Sequence, residues 1–297
     1  MEREDLTVEL AARLVAAQFP QWAGFPITPV ALSGWDNATF GLGEDMSVRL
    51  PTTEGYAQQV RKEHRWLPVL RSQLPLPIPE PLAEGVPGCG YPWPWSVYRW
   101  LPGEPAAVEE PSDLAAFATD LGHFLAALHR IDPAGGPAPS DRSFIRLGPL
   151  NTRDAETRAT IAALDGEIDT RAASEVWEAA LRAAGSEPRV WIHADVNPSN
   201  LLVIDGRLSA VIDFGCSGIG DPAFDLEMAW GFFSEESRAA FRASVGLDEA
   251  TWARSRGWQL WGATRALLQG LQAHADWVEH PRHIIGEVLV DHANLRQ

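Results

Sequence analysis

The 297-residue sequence predicts an α+β fold in two lobes: a small antiparallel β-sheet with helices, then a larger, mostly helical lobe. The first third alternates short β-like segments with turn residues. The remainder carries long apolar stripes at helical spacing, interrupted by one short hairpin. The predicted division is 1–98 for the first lobe, 99–103 for a hinge and 104–297 for the second lobe.

The first lobe is predicted to open with a helix. Leu10 and Leu14 share one apolar face over 6–19, Thr7 suits the cap, and Pro20 ends the helix. A second helix is predicted over 56–74. Turn residues and a proline-rich connector separate the predicted strands, which are 27–32, 39–42, 46–50 and 95–100.

The second lobe is predicted to begin with a helix capped by Ser112 or Asp113. Two further helices are predicted over 152–184, and the chain is helical by pattern over 222–297. Between them, a β island spans 189–213, where an Asp-Gly pair predicts a hairpin turn.

Composition narrows the class of partner. Lys plus Arg number 24 against 40 Asp plus Glu, a net charge of −16. This acidity disfavours nucleic acid and anionic membranes as binding partners. It is compatible with a cationic small-molecule ligand, but it is equally explained by solubility alone. Two cysteines exclude a disulfide framework, and the charged start and lack of a long apolar run favour a cytoplasmic protein.

The chemistry is concentrated at the ends of the predicted hairpin. The loop HADVNPSN (193–200) precedes the hairpin and IDFG (212–215) follows it, so Asp195, Asn200 and Asp213 are predicted to meet. The oxygens of Asn200 and Asp213 suit Mg²⁺, and Asp195 is then available to orient a hydroxyl and accept its proton. The alternative is ordinary turn polarity.

These segments resemble the aminoglycoside phosphotransferase family, which has a kinase-like fold. That family carries H-G-D-x(4)-N and a later I-D-x(6)-G-D-P-x-x-D-L; here the chain reads HADVNPSN and IDFGCSGIGDPAFDL, with Ala194 in place of glycine. The resemblance implies that Asp195 is the catalytic base or hydroxyl positioner. It implies Asn200 and Asp213 as magnesium ligands.

Three more residues of these motifs are implied to be structural. The resemblance makes His193 a support for the catalytic loop. It assigns Asp221 and Asp225 to bracing that loop and capping the next helix.

The resemblance also places a nucleotide, ATP or GTP, on the first lobe. Arg49 occupies the position of the phosphate-binding lysine of kinases, with Glu63 as its candidate partner on the next helix. The alternative for Arg49 is an exposed arginine at a strand end. The remaining candidate nucleotide contacts are Ser33 and Gly34 in the turn over the phosphates, and Tyr98 and Trp100 in the hinge.

The leading hypothesis is therefore a small-molecule O-phosphotransferase that uses Mg²⁺ and a nucleoside triphosphate. The span 213–221 is too short for the peptide-docking segment of a protein kinase. An aminoglycoside leads among acceptors; a macrolide is second, on the strength of 13 tryptophans, and choline-, homoserine- or sugar-like acceptors stay open. A nucleotide-binding pseudo-enzyme with a regulatory role is the alternative from another class. A monomer or homodimer is expected.

Overall fold

The structure is a computed structural model that describes residues 2–30, 34–138, 149–184 and 189–295. The strands in this part of the chain are β1 (Ile27–Pro29), β2 (Asn37–Leu42), β3 (Met46–Pro51), β4 (Pro81–Gly85), β5 (Trp95–Arg99), β6 (Glu104–Pro105), β7 (Val190–Ile192), β8 (Leu201–Ile204), β9 (Arg207–Val211) and β10 (Gly218–Gly220). The α-helices are α1 (Val8–Gln18), α2 (Glu54–Arg71), α3 (Leu114–Arg130), α4 (Asp154–Ala163), α5 (Thr170–Arg182), α6 (Met228–Gly231), α7 (Glu235–Val245), α8 (Glu249–Gln272) and α9 (Glu279–Asn294).

A five-stranded antiparallel sheet forms the first part of the molecule, in the order β1-β2-β3-β5-β4. Helix α1 packs on it, capped as predicted by Thr7, whose Oγ1 accepts a hydrogen bond of 3.3 Å from Leu10 N–H. Val48 and Val97 at the centre of the sheet are fully buried in the same apolar cluster as the face of α1. The sheet thus rests on a hydrophobic core of its own.

A second and larger core holds the helical part. Helices α3 and α7 approach so closely that a Cβ at Gly122 would lie 2.0 Å from Ser244 Oγ. Phe117 and Phe233 pack edge to face at this junction, with 6.4 Å between ring centroids. The predicted α+β architecture is confirmed, and the proposed lobe boundaries at 98 and 104 stay a prediction.

Three short strands were not predicted. Pro81–Gly85, within the proline-rich segment expected to be a connector, pairs with β5 as an edge strand. Glu104–Pro105 pairs with β8, so the expected hairpin is part of a three-stranded sheet. Gly218–Gly220 pairs with β7. Segments of two or three residues carry no alternating apolar pattern, and their pairing depends on which backbone the fold places beside them.

The tryptophans mostly serve packing. Seven of the 13 are buried, and they are Trp95, Trp177, Trp191, Trp230, Trp252, Trp258 and Trp261. Their burial removes much of the reason to read the tryptophan content as a pocket for a large apolar ligand. Among the helices of the described ranges, none is both long enough and apolar enough to cross a bilayer.

Candidate active site

The hairpin brings the two motif loops together. Its turn uses Asp205 and Gly206, both with positive φ (51° and 73°), as a two-residue turn requires. Leu201 pairs with Val211 at the open end, and the Ile212 N–H donates to the Asn200 carbonyl at 2.9 Å. Asn200 and Asp213 therefore leave adjacent strand ends.

The carboxylate of Asp195 is held by two amides of its own loop. Asn200 Nδ2 donates to Asp195 Oδ2 at 3.1 Å and to its backbone oxygen at 2.9 Å. Asn197 Nδ2 donates to Asp195 Oδ1 at 3.1 Å. These bonds fix the Asp195 side chain in a partly exposed position and turn the Asn200 amide so that its Oδ1 faces away from Asp195.

Asp213 adopts a left-handed backbone conformation, with φ of 65° and ψ of 68°. Its Oδ1 accepts a long hydrogen bond of 3.4 Å from Gly215 N–H and lies 3.8 Å from Arg49 Nη2. The side chain is 29 % exposed, so it is open to a ligand from solvent. A strained conformation at a polar, accessible residue is typical of a functional position.

The donor set fits magnesium. Asn200 Oδ1 and the Asp213 carboxylate are hard oxygen ligands at neighbouring strand ends. Within the described ranges, no group of three or more His, Cys, Asp or Glu side chains is placed to hold a metal unaided. A metal at this hairpin would therefore need phosphate oxygens or waters to complete its coordination, as Mg²⁺ in nucleotide sites does.

Asp225 lies against the 193–200 loop and is completely buried. Its Oδ2 accepts from His193 N–H at 3.1 Å and from His129 Nε2 at 2.9 Å, while its Oδ1 accepts from Ala194 N–H at 2.8 Å. Ala194, where the related motif has glycine, has a positive φ of 66°. The buried carboxylate thus holds the loop backbone in a conformation that glycine adopts more readily.

His193 has a similar supporting position. Its ring is buried, and Nε2 lies 3.0 Å from the Ile212 carbonyl, so Nε2 carries the proton. Nδ1 accepts from Asp195 N–H at 3.3 Å. The imidazole therefore connects the loop of Asp195 to the strand end that precedes Asp213.

Asp221 follows β10 and joins the motif to α8. It accepts from Ala223 N–H at 3.1 Å and pairs with both Arg254 Nε and Nη2 at 2.8 Å. The Arg254 side chain is 2 % exposed and that of Asp221 is 10 % exposed. This two-point ion pair fixes the segment before Asp225 to the longest helix of the second lobe.

We expect Arg254→Met to lower the free energy of unfolding by about 3–5 kcal/mol, because it leaves the Asp221 carboxylate buried without its partner. The matched control is Arg158→Met on α4, since Arg158 is 46 % exposed and also pairs with two carboxylates. That exposed arginine should contribute about 1 kcal/mol or less. Urea denaturation measures both; equal losses in the two variants would contradict the structural role of Asp221.

The predicted nucleotide residues Arg49, Glu63 and Tyr98 line one small cavity. No Arg49 nitrogen lies within 4 Å of a Glu63 oxygen; the guanidinium pairs with Asp213 and lies 5.5 Å from the Tyr98 ring centroid. Glu63 Oε2 accepts instead from the Tyr98 hydroxyl at 2.5 Å, and Oε1 is buried without a hydrogen-bond partner among the described residues. The expected pair is therefore an electrostatic one across the cavity.

The ionisable groups around this cavity shift one another's pKa values. Burial opposes the charged form of Arg49, but the carboxylates of Glu63 and Asp213 outweigh it and raise its pKa. Burial raises the pKa of the Glu63 carboxyl, partly offset by Arg49. Burial also raises the pKa of the Tyr98 hydroxyl well above its ordinary value, so this group stays a donor. Arg49 is a permanent cation beside Asp213.

The other nucleotide predictions lie at the edges of the cleft. The Gly34 carbonyl accepts from Arg3 Nη2 at 2.8 Å, whereas Ser33 lies outside the described residues. The Trp100 N–H donates to the Asp45 carbonyl at 2.7 Å, and the Trp100 side chain is exposed. The Trp100 N–H, in the hinge segment predicted to contact the nucleotide, is thus already hydrogen-bonded within the protein.

A family model described as the phosphotransferase enzyme family, APH, matches residues 27–258. The chain belongs to this family. The matched span includes both motif loops and the strand that carries Arg49. The expected kinship with the aminoglycoside phosphotransferases is confirmed.

Two curated relatives match parts of the chain. A homoserine kinase of Gluconobacter oxydans is 32 % identical over 159 residues, 51 % of this chain and 48 % of the relative. An aminoglycoside 3′-phosphotransferase of Escherichia coli is 36 % identical over 72 residues, 24 % of this chain and 27 % of the relative. The chain thus spans about half or less of the length of each.

Solved structures share the fold over nearly the whole chain. The GDP complex of wild-type aminoglycoside 2′-phosphotransferase-IIIa has a TM-score of 0.67 at 19 % identity and covers 96 % of this chain and 99 % of its own. A macrolide 2′-phosphotransferase of Brachybacterium faecium has a TM-score of 0.57 at 23 % identity, covering 94 % and 97 %. The kinase-like fold of the family is thereby confirmed.

Two basic residues near the candidate site were not identified from the sequence. Lys62 Nζ donates to the carbonyls of Gly215 and Ser217, directly after Asp213, and burial lowers its pKa. Arg3 donates to the carbonyls of Gly34 and Trp35. Both side chains donate to backbone carbonyls, which every residue type has, so no sequence pattern indicates the contact. The one feature that pointed to Lys62 is its position directly before Glu63 on the same helix.

Three acidic residues near the end of the chain, Asp276, Glu279 and Glu287, differ in exposure and in how closely they pair with an arginine. Glu287 pairs with the buried Arg238 at 2.6 Å. Glu279 is 80 % exposed, 3.8 Å from Arg282, and Asp276 is exposed. Glu287 thus already neutralises a buried cation.

Proposed function

We propose that this protein transfers the γ-phosphoryl group of a nucleoside triphosphate to a hydroxyl of a small molecule, with Mg²⁺. One observation carries the proposal. Asp195, a partly exposed carboxylate, is hydrogen-bonded to Asn200, and the hairpin sets Asn200 and Asp213 at adjacent strand ends. Phosphoryl transfer requires these parts: a group that positions the attacking hydroxyl, and oxygen ligands for the metal on the phosphates.

In this proposal Asp195 accepts a hydrogen bond from the acceptor hydroxyl, orients it in line with the γ-phosphorus and takes its proton. Amide donors on both carboxylate oxygens keep Asp195 oriented. Asn200 Oδ1 and the Asp213 carboxylate would hold Mg²⁺, which when bound neutralises developing phosphate charge. Arg49, 3.8 Å from Asp213, would contribute a second cation to the phosphates.

The donor is proposed to be ATP or GTP, bound between the sheet and the hairpin. The Arg49 guanidinium lies on that side of Asp213. A related structure of the same fold is a GDP complex, which supports a nucleoside diphosphate as the bound product but does not choose the base for this chain. Arg49 departs from the usual lysine, which is the one feature that favours a pseudo-enzyme, but its guanidinium lies 3.8 Å from Asp213, the proposed metal ligand.

The acceptor is proposed to be an aminoglycoside-type antibiotic. The net charge of −16 favours a polycationic acceptor, and a curated relative at 36 % identity is an aminoglycoside phosphotransferase. A homoserine-like metabolite is the second candidate, because the homoserine kinase aligns over more of the chain. A macrolide acceptor loses the support of the tryptophans, most of which are buried.

The test is nucleoside diphosphate release with Mg²⁺, with ATP and GTP in turn, against aminoglycosides, macrolides and homoserine. We expect an aminoglycoside to stimulate release, and Asp195→Ala to abolish the stimulation. Stimulation by homoserine alone would mean that the acceptor is homoserine and not an aminoglycoside, while the proposed phosphoryl transfer would stand. Tight nucleotide binding with no turnover on any acceptor would favour a regulatory nucleotide binder.

The cytoplasmic location, the choice between monomer and homodimer, and the absence of nucleic-acid or membrane partners stay predictions from composition. They are proposed on the net charge of −16 and on two cysteines that are not paired with each other. No step of the proposed reaction depends on them.

A further inference from the structure

Lys62 lies on α2, a helix that packs beside the five-stranded sheet, yet its side chain reaches the loop of the metal ligand. Its Nζ donates to the Gly215 carbonyl at 2.6 Å and to the Ser217 carbonyl at 2.9 Å. These carbonyls are two and four residues beyond Asp213. A single ammonium group thus joins the first lobe to the turn that presents Asp213.

The same face of α2 makes a second contact with this loop. Gln59, one turn before Lys62, packs against Gly215 so closely that a Cβ at Gly215 would lie 2.4 Å from Gln59 Oε1. Both Gln59 and Gly215 are buried. The loop is therefore held from one side by packing and by a charged donor.

Asp213 needs such support because its backbone is left-handed, with φ of 65°. The hydrogen bond within the turn, from Gly215 N–H to Asp213 Oδ1, is long at 3.4 Å. A conformation of this kind persists where surrounding contacts determine it. The Lys62 ammonium adds two charge-assisted hydrogen bonds to this turn, at the Gly215 and Ser217 carbonyls.

We propose that Lys62 is a positioning residue that sets the orientation of Asp213 toward Mg²⁺ from across the cleft. This inference rests on the proposed role of Asp213 as a magnesium ligand. Lys62 itself contacts neither the metal nor the phosphates; it fixes the turn, and the turn fixes the carboxylate. Outer partners of metal ligands typically contribute about 10–100-fold to metal affinity.

The test measures ATP and GTP binding by calorimetry without acceptor, once in excess Mg²⁺ and once in EDTA. Lys62→Met removes the ammonium group and keeps most of the aliphatic stem. We expect affinity in Mg²⁺ to fall about tenfold or more, and affinity in EDTA to stay unchanged, because only the metal ligand is displaced. Amide hydrogen exchange of the 213–217 segment in the free protein should become faster.

The matched control is Arg61→Met, the neighbouring cation on α2, whose side chain is 83 % exposed and 3.7 Å from Glu84. It should bind nucleotide like the unmodified protein in both conditions. Lys62→Arg should restore part of the Mg²⁺-dependent affinity, because it returns a cationic donor. If Lys62→Met does not fold, Gly215→Ala disturbs the same turn through Gln59 and should show the same selective loss.

Asp213→Asn separates this inference from the proposed function. If Asp213→Asn loses Mg²⁺-dependent affinity and Lys62→Met does not, the positioning role is wrong and the metal site stands. If neither variant loses it, the proposed metal site is wrong as well. Equal losses in Mg²⁺ and in EDTA for Lys62→Met would indicate a general structural role and overturn the inference.

Discussion

Asp195→Ala is expected to lower kcat by about 10²–10⁴-fold, the usual contribution of a positioned general base. Binding of the magnesium–nucleotide complex should change little. The reason is geometric: the Asp195 carboxylate is held by the amides of Asn197 and Asn200, and the Asn200 oxygen proposed for the metal points away from it. Steady-state kinetics and calorimetry on the same variant measure the two effects.

The control is Asp205→Asn in the turn of the same hairpin. Asp205 is exposed and has φ of 51°, which asparagine also tolerates, so this variant removes one negative charge without disturbing the turn. It should turn over like the unmodified protein. Loss of nucleotide binding in Asp195→Ala would instead place Asp195 among the phosphate and metal ligands.

Asp213→Asn is expected to weaken nucleotide binding in Mg²⁺ by at least the roughly 10–100-fold that loss of an outer partner of a metal ligand causes. Asparagine keeps an oxygen and accepts the left-handed backbone at φ of 65°, so the change removes mainly the negative charge. Turnover should fall in parallel, and raising the Mg²⁺ concentration should restore part of it. A Mg²⁺ titration of turnover measures this.

The affinity for nucleotide in EDTA supplies the comparison. Arg49 lies 3.8 Å from Asp213, so neutralising Asp213 leaves the guanidinium free to contact phosphate. Without metal, Asp213→Asn should therefore bind nucleotide at least as tightly as the unmodified protein. An unchanged Mg²⁺ dependence would mean that the metal ligands lie elsewhere in the chain.

Regular patterns made much of the fold predictable. The stripe of Leu10 and Leu14 predicted α1 to within two residues at its start and one at its end. The Asp-Gly turn and its flanking apolar runs predicted β8 and β9, and hence the meeting of Asn200 with Asp213. In each case the information is local, since periodicity and turn chemistry act over a few residues.

Family motifs made those site residues predictable whose side chains have a fixed spacing in the sequence. Asp195, Asn200 and Asp213 lie together because a hairpin joins them, and Asp225 was recognised as a brace by its motif alone. What the sequence did not show is that Glu63 is held by Tyr98 while Arg49 pairs with Asp213. Those choices depend on how the folded chain sets these side chains relative to one another, which no local sequence pattern specifies.

The sequence by itself determined the family, the order of the longer elements and the candidate phosphate-handling residues, because these depend on short-range patterns of apolar, turn and charged residues. Only the tertiary structure decided that β6 and β10 form, and that Lys62 reaches the carbonyls beyond Asp213. These contacts join backbone groups to partners far away in the chain. Any residue type supplies a backbone carbonyl, so its partner is chosen by packing and leaves no pattern to recognise.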